Sequence, residues 1–181
     1  MNPIRAKLRE AQMNLERLQD LTRSDEFYAA VNAFLSAAYS VLYIAEHQLG
    51  LPNTKKARAA LPPNDRAVRE RFDKWFQSSP SALAVKSHAL GQDRHVVIHR
   101  TGQAGFVHLP RPIGGLAVEH GTPFRPAIFR SGKRIGLPLE DDNEFFYVDG
   151  AGKQHEAIPY CQAYLALIQL FFENLEKRPW G

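Results

Sequence analysis

Residues 25–48 read DEFYAAVNAFLSAAYSVLYIAEHQ, and this stretch decides the fold. Its apolar side chains recur at the three- and four-residue spacing of an α-helix, which predicts a helix buried at the centre of the core. The predicted buried stripe is Phe27, Val31, Phe34, Leu35, Ala38, Val41, Leu42 and Ala45. Ser24 is expected to cap the helix, and Gly50 is expected to end it.

Further helices are expected on either side of this one. Leucines at helical spacing predict a first helix from about Pro3 to Leu21. Residues 50–63 contain three prolines and are expected to form a loop with one helical turn. Asn64 is expected to cap a third helix, because Val68, Phe72, Trp75 and Phe76 then share one side.

A fourth helix is predicted to start at Ser79 and Pro80 and to reach residues 94–100, RHVVIHR. Taken alone, RHVVIHR favours a strand because Val and Ile are β-branched. A helix is favoured because Leu83, Leu90 and Val97 follow one another at intervals of seven residues, which is about two helical turns. On this helix Arg94 lies within the apolar stripe, where an arginine must be paired, reach a cleft or face another subunit.

The composition changes after Gly102, because Gly, Pro and aromatic residues punctuate short apolar runs. GFVHLP, LAVEH, PAIF and EFFYVDG are expected to be short strands, and Asp149-Gly150 a tight turn. AIPYCQAYLALIQLFFENLEKR predicts an apolar last helix that packs back on the others. The expected fold class is mainly α: a bundle of four to five helices with a small β-rich insertion before the C-terminal helix. We expect a helical bundle over 1–102, a β-rich extension over 103–154 and the C-terminal helix within 155–181.

Length and composition favour a soluble protein. The chain has 181 residues, 44% of them hydrophobic, and a net charge of +4. No apolar run is expected to reach the roughly 18 to 20 residues of a membrane span, and the first residues do not resemble a signal peptide, so a cytoplasmic location is expected. Cys161 is the sole cysteine and is expected to be a small buried hydrophobe. The pattern predicts neither a metal site nor a cofactor.

Positive charge is densest over residues 54–74. Such a stretch can attract phosphates, although a solvated helix face accounts for it equally well. The candidate nucleic-acid-binding residues are Lys55, Lys56, Arg58, Arg66 and Arg69, together with Arg100.

The sequence Arg94-His95-x-x-x-His99 resembles the motif of HEPN-domain proteins, which is an arginine, a polar residue, three variable residues and a histidine. In that family the motif lies near the end of the last core helix of an α-helical bundle. Residues 25–48 are similar to the family's long second helix, and residues 69–102 to its third helix, turn and motif helix. The resemblance covers roughly residues 5–102 and, beyond them, only the C-terminal helix.

This resemblance implies a homodimer whose motif helices meet and, in active members, a metal-independent endoribonuclease. The residue types suit that chemistry. His99 can exchange the proton of an RNA 2′-hydroxyl or of the leaving oxygen, and Arg94 can stabilise the phosphate. His95 takes the family's polar position and either orients the site or shares the acid-base work. An antitoxin-like protein partner would restrain such an activity.

Other interpretations stay open. On an ideal helix Arg94 and His99 lie about 140° apart, so they converge only across a dimer or in a distorted last turn. Otherwise Arg94 pairs with a carboxylate and His99 caps the helix.

His88, His95 and His99 could form a metal site, but no nearby carboxylate completes it. Glu46 or Asp93 is a candidate for the carboxylate that orients a histidine of the motif. The remaining histidines are expected to be ordinary surface or loop residues: His47, His108, His120 and His155. The alternative function is a non-catalytic bundle of the same family that binds RNA, a nucleotide or a protein partner.

Overall fold

The computed structural model describes residues 2–52, 54–92, 106–110, 143–149 and 151–178. These residues are mainly helical, with a small antiparallel sheet before the C-terminal helix, in agreement with the expected class. The helices are α1 Pro3–Leu18, α2 Ser24–Leu49, α3 Lys55–Ala59, α4 Pro63–Ser78, α5 Pro80–Ser87, α6 Ala89–Gln92 and α7 Ala157–Glu176. The strands are β1 Phe106–Pro110, β2 Asn143–Val148 and β3 Gln154–Glu156.

Helix α2 forms the centre of the core, as its stripe predicts. Every residue of the predicted stripe is buried, and Phe34, Leu35 and Val41 are completely inaccessible. Helix α1 packs along α2, and α7 closes the core with Tyr164, Ile168 and Phe171. Burial of this apolar area is the main favourable contribution to folding, at roughly 25 cal/mol per Å² removed from water.

Helix α2 is also long and apolar enough to cross a membrane, so the expectation that no segment reaches this limit was wrong. However, 56% of its most apolar window is buried inside the fold. The core helix of a soluble protein has this combination of high apolarity and burial, because other helices cover the face that lipid would otherwise contact.

Two predicted helix caps were wrong. Ser24 is the first residue of α2, and Arg23 occupies the cap position without a side-chain capping bond. Asn64 lies inside α4, which already begins at Pro63, because proline lacks an N–H and its fixed φ suits the first position of a helix. Helix α1 ends at Leu18 and does not reach Leu21.

The predicted continuous fourth helix is interrupted. Helix α5 ends at Ser87, and His88 has the extended angles φ −63° and ψ 140° before α6 begins at Ala89. Leu83, the assumed anchor of the apolar stripe, is 47% exposed. The argument that placed Arg94 within that stripe was therefore wrong, because helical angles cannot be carried across the break.

A glycine at the break allows close packing of the chain. A Cβ atom on Gly91 would contact the carbonyl oxygen of Val85 more closely than real Cβ atoms do. The absence of a side chain at Gly91 thus lets α6 fold against the end of α5.

The three strands form an antiparallel sheet in the order β1-β2-β3. Phe106 lies opposite Tyr147, and Tyr147 lies opposite His155. The chain turns after Asp149, since the N–H of Gly152 donates to the Asp149 carbonyl at 2.9 Å and Gly152 adopts φ +81°. Gly150, the second residue of the predicted tight turn, lies outside the described residues. Of the four predicted strand segments, LAVEH and PAIF lie outside the described residues.

Aromatic contacts join the sheet to the bundle. The ring of Phe27 on α2 stacks on Phe145 of β2, with centroids 3.7 Å apart and planes inclined by 4°. Phe106 and Tyr147 are also buried and belong to the same continuous core as the helices. The division into parts at 102/103 and 154/155 stays a prediction.

Substitution of Gly91 tests how tightly α6 is fitted to α5. Gly91→Ala is expected to lower the free energy of unfolding by about 1–3 kcal/mol, because the added methyl meets the main chain and not a flexible side chain. Urea denaturation measures the change. Gln77→Ala, at an exposed position on α4, serves as the control and should change stability by less than about 0.5 kcal/mol. Equal stability of the two variants would contradict the tight fit.

Candidate functional site

The predicted catalytic residues Arg94, His95 and His99 lie outside the described residues, as does Arg100. Whether Arg94 and His99 converge therefore stays a prediction. The structure does describe the chain immediately before this segment, up to Gln92, and the side chains that surround that point.

A hydrogen bond from α2 holds α6 in place. The hydroxyl of Tyr39, which is 3% exposed, donates to the carbonyl of Leu90. Leu90 is itself fully buried, and its N–H donates to Nδ1 of His88 at 3.3 Å. Both main-chain polar groups of Leu90 are thus bonded to side chains, which fixes the chain two residues before Gln92.

His88 lies in a mostly aromatic environment. Its ring centroid is 4.7 Å from that of Tyr160 and 5.0 Å from that of Tyr164. Because Nδ1 accepts from Leu90, the neutral ring carries its proton on Nε2, and protonation of Nδ1 would break that bond. Burial, and secondly the charge of His155, lowers the pKa of His88. His88 is therefore an imidazole held in its neutral form.

His155 and Asp149 lie at ion-pair distance from each other, on the two sides of the turn between β2 and β3. Nε2 of His155 lies 2.9 Å from Oδ2 of Asp149, and the two side chains are 22% and 21% exposed. A carboxylate only accepts, so Nε2 carries the proton and Nδ1 holds the lone pair in the neutral ring. The hydrogen bond from His155 is the largest cause that lowers the pKa of Asp149, so the carboxylate stays charged.

Tyr160, on the first turns of α7, joins the two histidines. Its ring lies 4.5 Å from that of His155 and 4.7 Å from that of His88. We call His88, Asp149, His155 and Tyr160 the imidazole cluster. It contains two imidazoles in different electrostatic settings, one neutral and half-buried and one paired with a carboxylate. Such a pair is chemically suited to proton transfer near neutral pH.

Sequence reasoning did not find this cluster, since His155 was expected to be an ordinary surface or loop residue. A signal was present at the predicted Asp149-Gly150 turn. A hairpin turn at that point brings residues on its two sides together, and Asp149 and His155 are six positions apart. Asp149 orients His155. Orientation of a motif histidine by Glu46 or Asp93 stays a prediction, and Asp93 lies outside the described residues.

Three of the predicted nucleic-acid-binding arginines support the main chain. Each guanidinium donates to a carbonyl between α2 and α4: Arg58 to Pro52 at 2.6 Å, Arg66 to Ala59 at 3.2 Å and Arg69 to Gly50. These bonds hold the proline-rich connection, including α3, against α4. Lys55 and Lys56 are exposed on α3 and leave their charges toward solvent. Phosphate binding by this stretch stays a prediction.

Within the described part of the chain, no group of three or more His, Cys, Asp or Glu side chains could hold a metal ion. Cys161 is fully buried, as expected, and burial raises the pKa of its thiol well above the usual range. A thiol in this environment stays protonated and is a poor nucleophile.

Comparisons with protein-family models, with curated proteins and with solved structures found no match for this chain. The likeness to HEPN-domain proteins therefore rests on the sequence features given above.

The lowered pKa of His88 gives a pH-dependent stability of defined sign. The unfolded chain binds a proton at His88 near pH 6.5, and the folded chain binds it only at lower pH, so stability falls as pH falls through this range. NMR titration of the His88 ring should give a midpoint below about 6.5. His88→Phe should have a shallower loss of stability between about pH 7 and 5 than wild type, whereas Gln48→Phe, at an exposed position without a titrating group, should keep the wild-type slope. A His88 midpoint at or above about 6.5 would contradict this environment.

Proposed function

We propose that this protein is a metal-independent endoribonuclease of the HEPN type that acts as a cytoplasmic homodimer. The proposal rests on the position of the motif, which follows closely after Leu90, a residue that hydrogen bonds hold in place. Arg94 follows Gln92 by two residues, so covalent geometry keeps their Cα atoms within about 7 Å. Leu90, two residues earlier, is anchored by Tyr39 and His88.

The proposed reaction needs a base, an acid and a positive charge. The RNA 2′-oxygen attacks the adjacent phosphorus while a base takes its proton, and the bond from phosphorus to the 5′-oxygen breaks while an acid protonates that oxygen. The products are a 2′,3′-cyclic phosphate and a 5′-hydroxyl. We assign proton exchange to His99 and stabilisation of the phosphate to Arg94, with His95 orienting the site or sharing the proton transfer.

The imidazole cluster supports this assignment by supplying further titratable groups near the start of the motif segment. His155 is oriented by Asp149 at 2.9 Å and carries a lone pair on Nδ1 when neutral. His88 contacts Leu90 directly and remains neutral at physiological pH. Neutral imidazoles can accept protons, whereas a cluster of carboxylates would repel the RNA backbone.

The homodimer is part of the same proposal, because Arg94 and His99 on one ideal helix lie about 140° apart. Two-fold packing of the motif segments would bring groups from both copies into one cleft. An antitoxin-like protein partner that covered this cleft would restrain the activity.

The second candidate is a non-catalytic bundle that binds RNA, a nucleotide or a protein partner. Lys55 and Lys56 favour it, because both are exposed on α3 and leave their charges toward solvent. The two candidates differ in whether RNA is cut.

RNA cleavage is the direct test of the endoribonuclease. Purified protein is expected to cut single-stranded RNA in the presence of chelator, and Arg94→Ala and His99→Ala are each expected to lower the rate by about 10²-fold or more. Gel analysis should show ends with a cyclic phosphate and a 5′-hydroxyl. Arg71→Ala and His47→Ala replace the same residue types at exposed positions and should cut at the wild-type rate. Folded wild-type protein that leaves RNA intact would refute the nuclease and favour the binding module.

The association state tests the composite site. Sedimentation equilibrium at micromolar concentration is expected to give twice the 20.4 kDa mass of one chain. A single species of 20.4 kDa at this concentration would remove the argument that two copies share one cleft.

A further inference from the structure

A cleft lies on the bundle where the junction of α4 and α5 faces the end of α7. Its volume is about 600 Å³, which falls in the range of small-molecule sites, roughly 300–1,000 Å³. The lining residues that matter here are Trp75, Ser79, Ser81, Asn174, Lys177 and Arg178. We call this site the α4–α7 cleft.

Two buried serines line the α4–α7 cleft. Ser79 and Ser81 are 5% and 6% exposed, and their hydroxyl oxygens are 3.0 Å apart. One hydroxyl donates to the other, so the second hydroxyl has a proton with no acceptor among the described residues. An unused donor in a buried position is costly unless a ligand or solvent accepts from it.

The start of α5 adds a main-chain donor at the same place, because Ser81 lines the cleft. Ser79 occupies the cap position of this helix, as expected, but its side chain makes no capping bond because it pairs with Ser81. Pro80 has no N–H, so the first N–H groups of α5 are those of Ser81 and Ala82. The N–H groups at the start of a helix, with the positive end of its dipole, favour an anion.

Two cations complete the lining. Lys177 and Arg178 follow α7, and the guanidinium carbon of Arg178 lies 5.5 Å from the ring centroid of Trp75. Neither Asp nor Glu is among the described residues that line the cleft. The half-buried amide of Asn174 adds a further donor. Donors and positive charge therefore converge here without a carboxylate to neutralise them.

We infer that the α4–α7 cleft binds a phosphate dianion, either free or as the 5′-phosphate of a mononucleotide. The serine hydroxyl and the N–H of Ser81 would hydrogen-bond the phosphate oxygens, while Arg178 and Lys177 would balance their charge. The site does not depend on Arg94 or His99, so it stands apart from the nuclease proposal.

Calorimetric titration at low ionic strength tests the inference with inorganic phosphate, adenosine 5′-monophosphate and adenosine as probes. Wild-type protein is expected to bind phosphate and the monophosphate saturably at one site, and not adenosine. Tighter binding of the monophosphate than of phosphate would identify a nucleotide site, and equal binding would identify a site for phosphate alone. The double variant Lys177→Gln, Arg178→Gln should bind at least about tenfold more weakly.

The matched control is Arg9→Gln, Arg17→Gln on α1, which removes the same net charge at exposed positions away from the cleft lining and should bind within about twofold of wild type. Ser81→Ala, which keeps the charge, should also weaken binding if it retains the helical circular dichroism of wild type. The inference is overturned if wild-type protein shows no saturable binding of phosphate or the monophosphate, or if the cleft double variant binds as the control does. Phosphate binding is measured without RNA, so a failure of this inference and a failure of RNA cleavage are distinguishable.

Discussion

The bond from the Tyr39 hydroxyl to the Leu90 carbonyl connects α2, at the centre of the core, to the last described turn before residues 93–105. Its donor lies on α2, whose apolar stripe organises the core, so the position of α6 depends on the same burial that drives folding. A buried hydroxyl and a buried carbonyl must each find a partner, which makes this bond costly to lose. The start of the motif segment is thereby tied to the centre of the fold.

Helix α5 relates the two candidate sites to each other. Its first turn lines the α4–α7 cleft, and the residue after its last turn, His88, belongs to the imidazole cluster. Eight helical residues span about 12 Å, so the two sites flank opposite ends of one short helix. Their electrostatics differ. The cleft collects donors and positive charge, whereas the cluster contains neutral imidazole and a carboxylate paired to a histidine.

The features predicted from sequence were those set by local periodicity. The stripe of α2, the final apolar helix and the strands at GFVHLP and EFFYVDG follow from residue spacing alone, and the structure confirms them.

The break at His88 was missed because its cause is tertiary: its ring packs on Tyr160 and Tyr164, more than 70 residues away in sequence. The α4–α7 cleft was missed for the same reason, since its cations lie about 100 residues from its serines. The motif Arg94-His95-x-x-x-His99 was visible in sequence, but the convergence of its side chains depends on tertiary and quaternary geometry.

The central claim is that the motif segment starts from a point held rigidly by α2, and amide hydrogen exchange of Tyr39→Phe tests it most directly. Removal of the hydroxyl leaves the ring in the core and removes the bond to Leu90. The account predicts faster exchange at the Leu90 and Gly91 amides in this variant, with unchanged protection of α1 and of α2 around Phe34 and Leu35. Identical exchange of Leu90 and Gly91 in variant and wild type would contradict it.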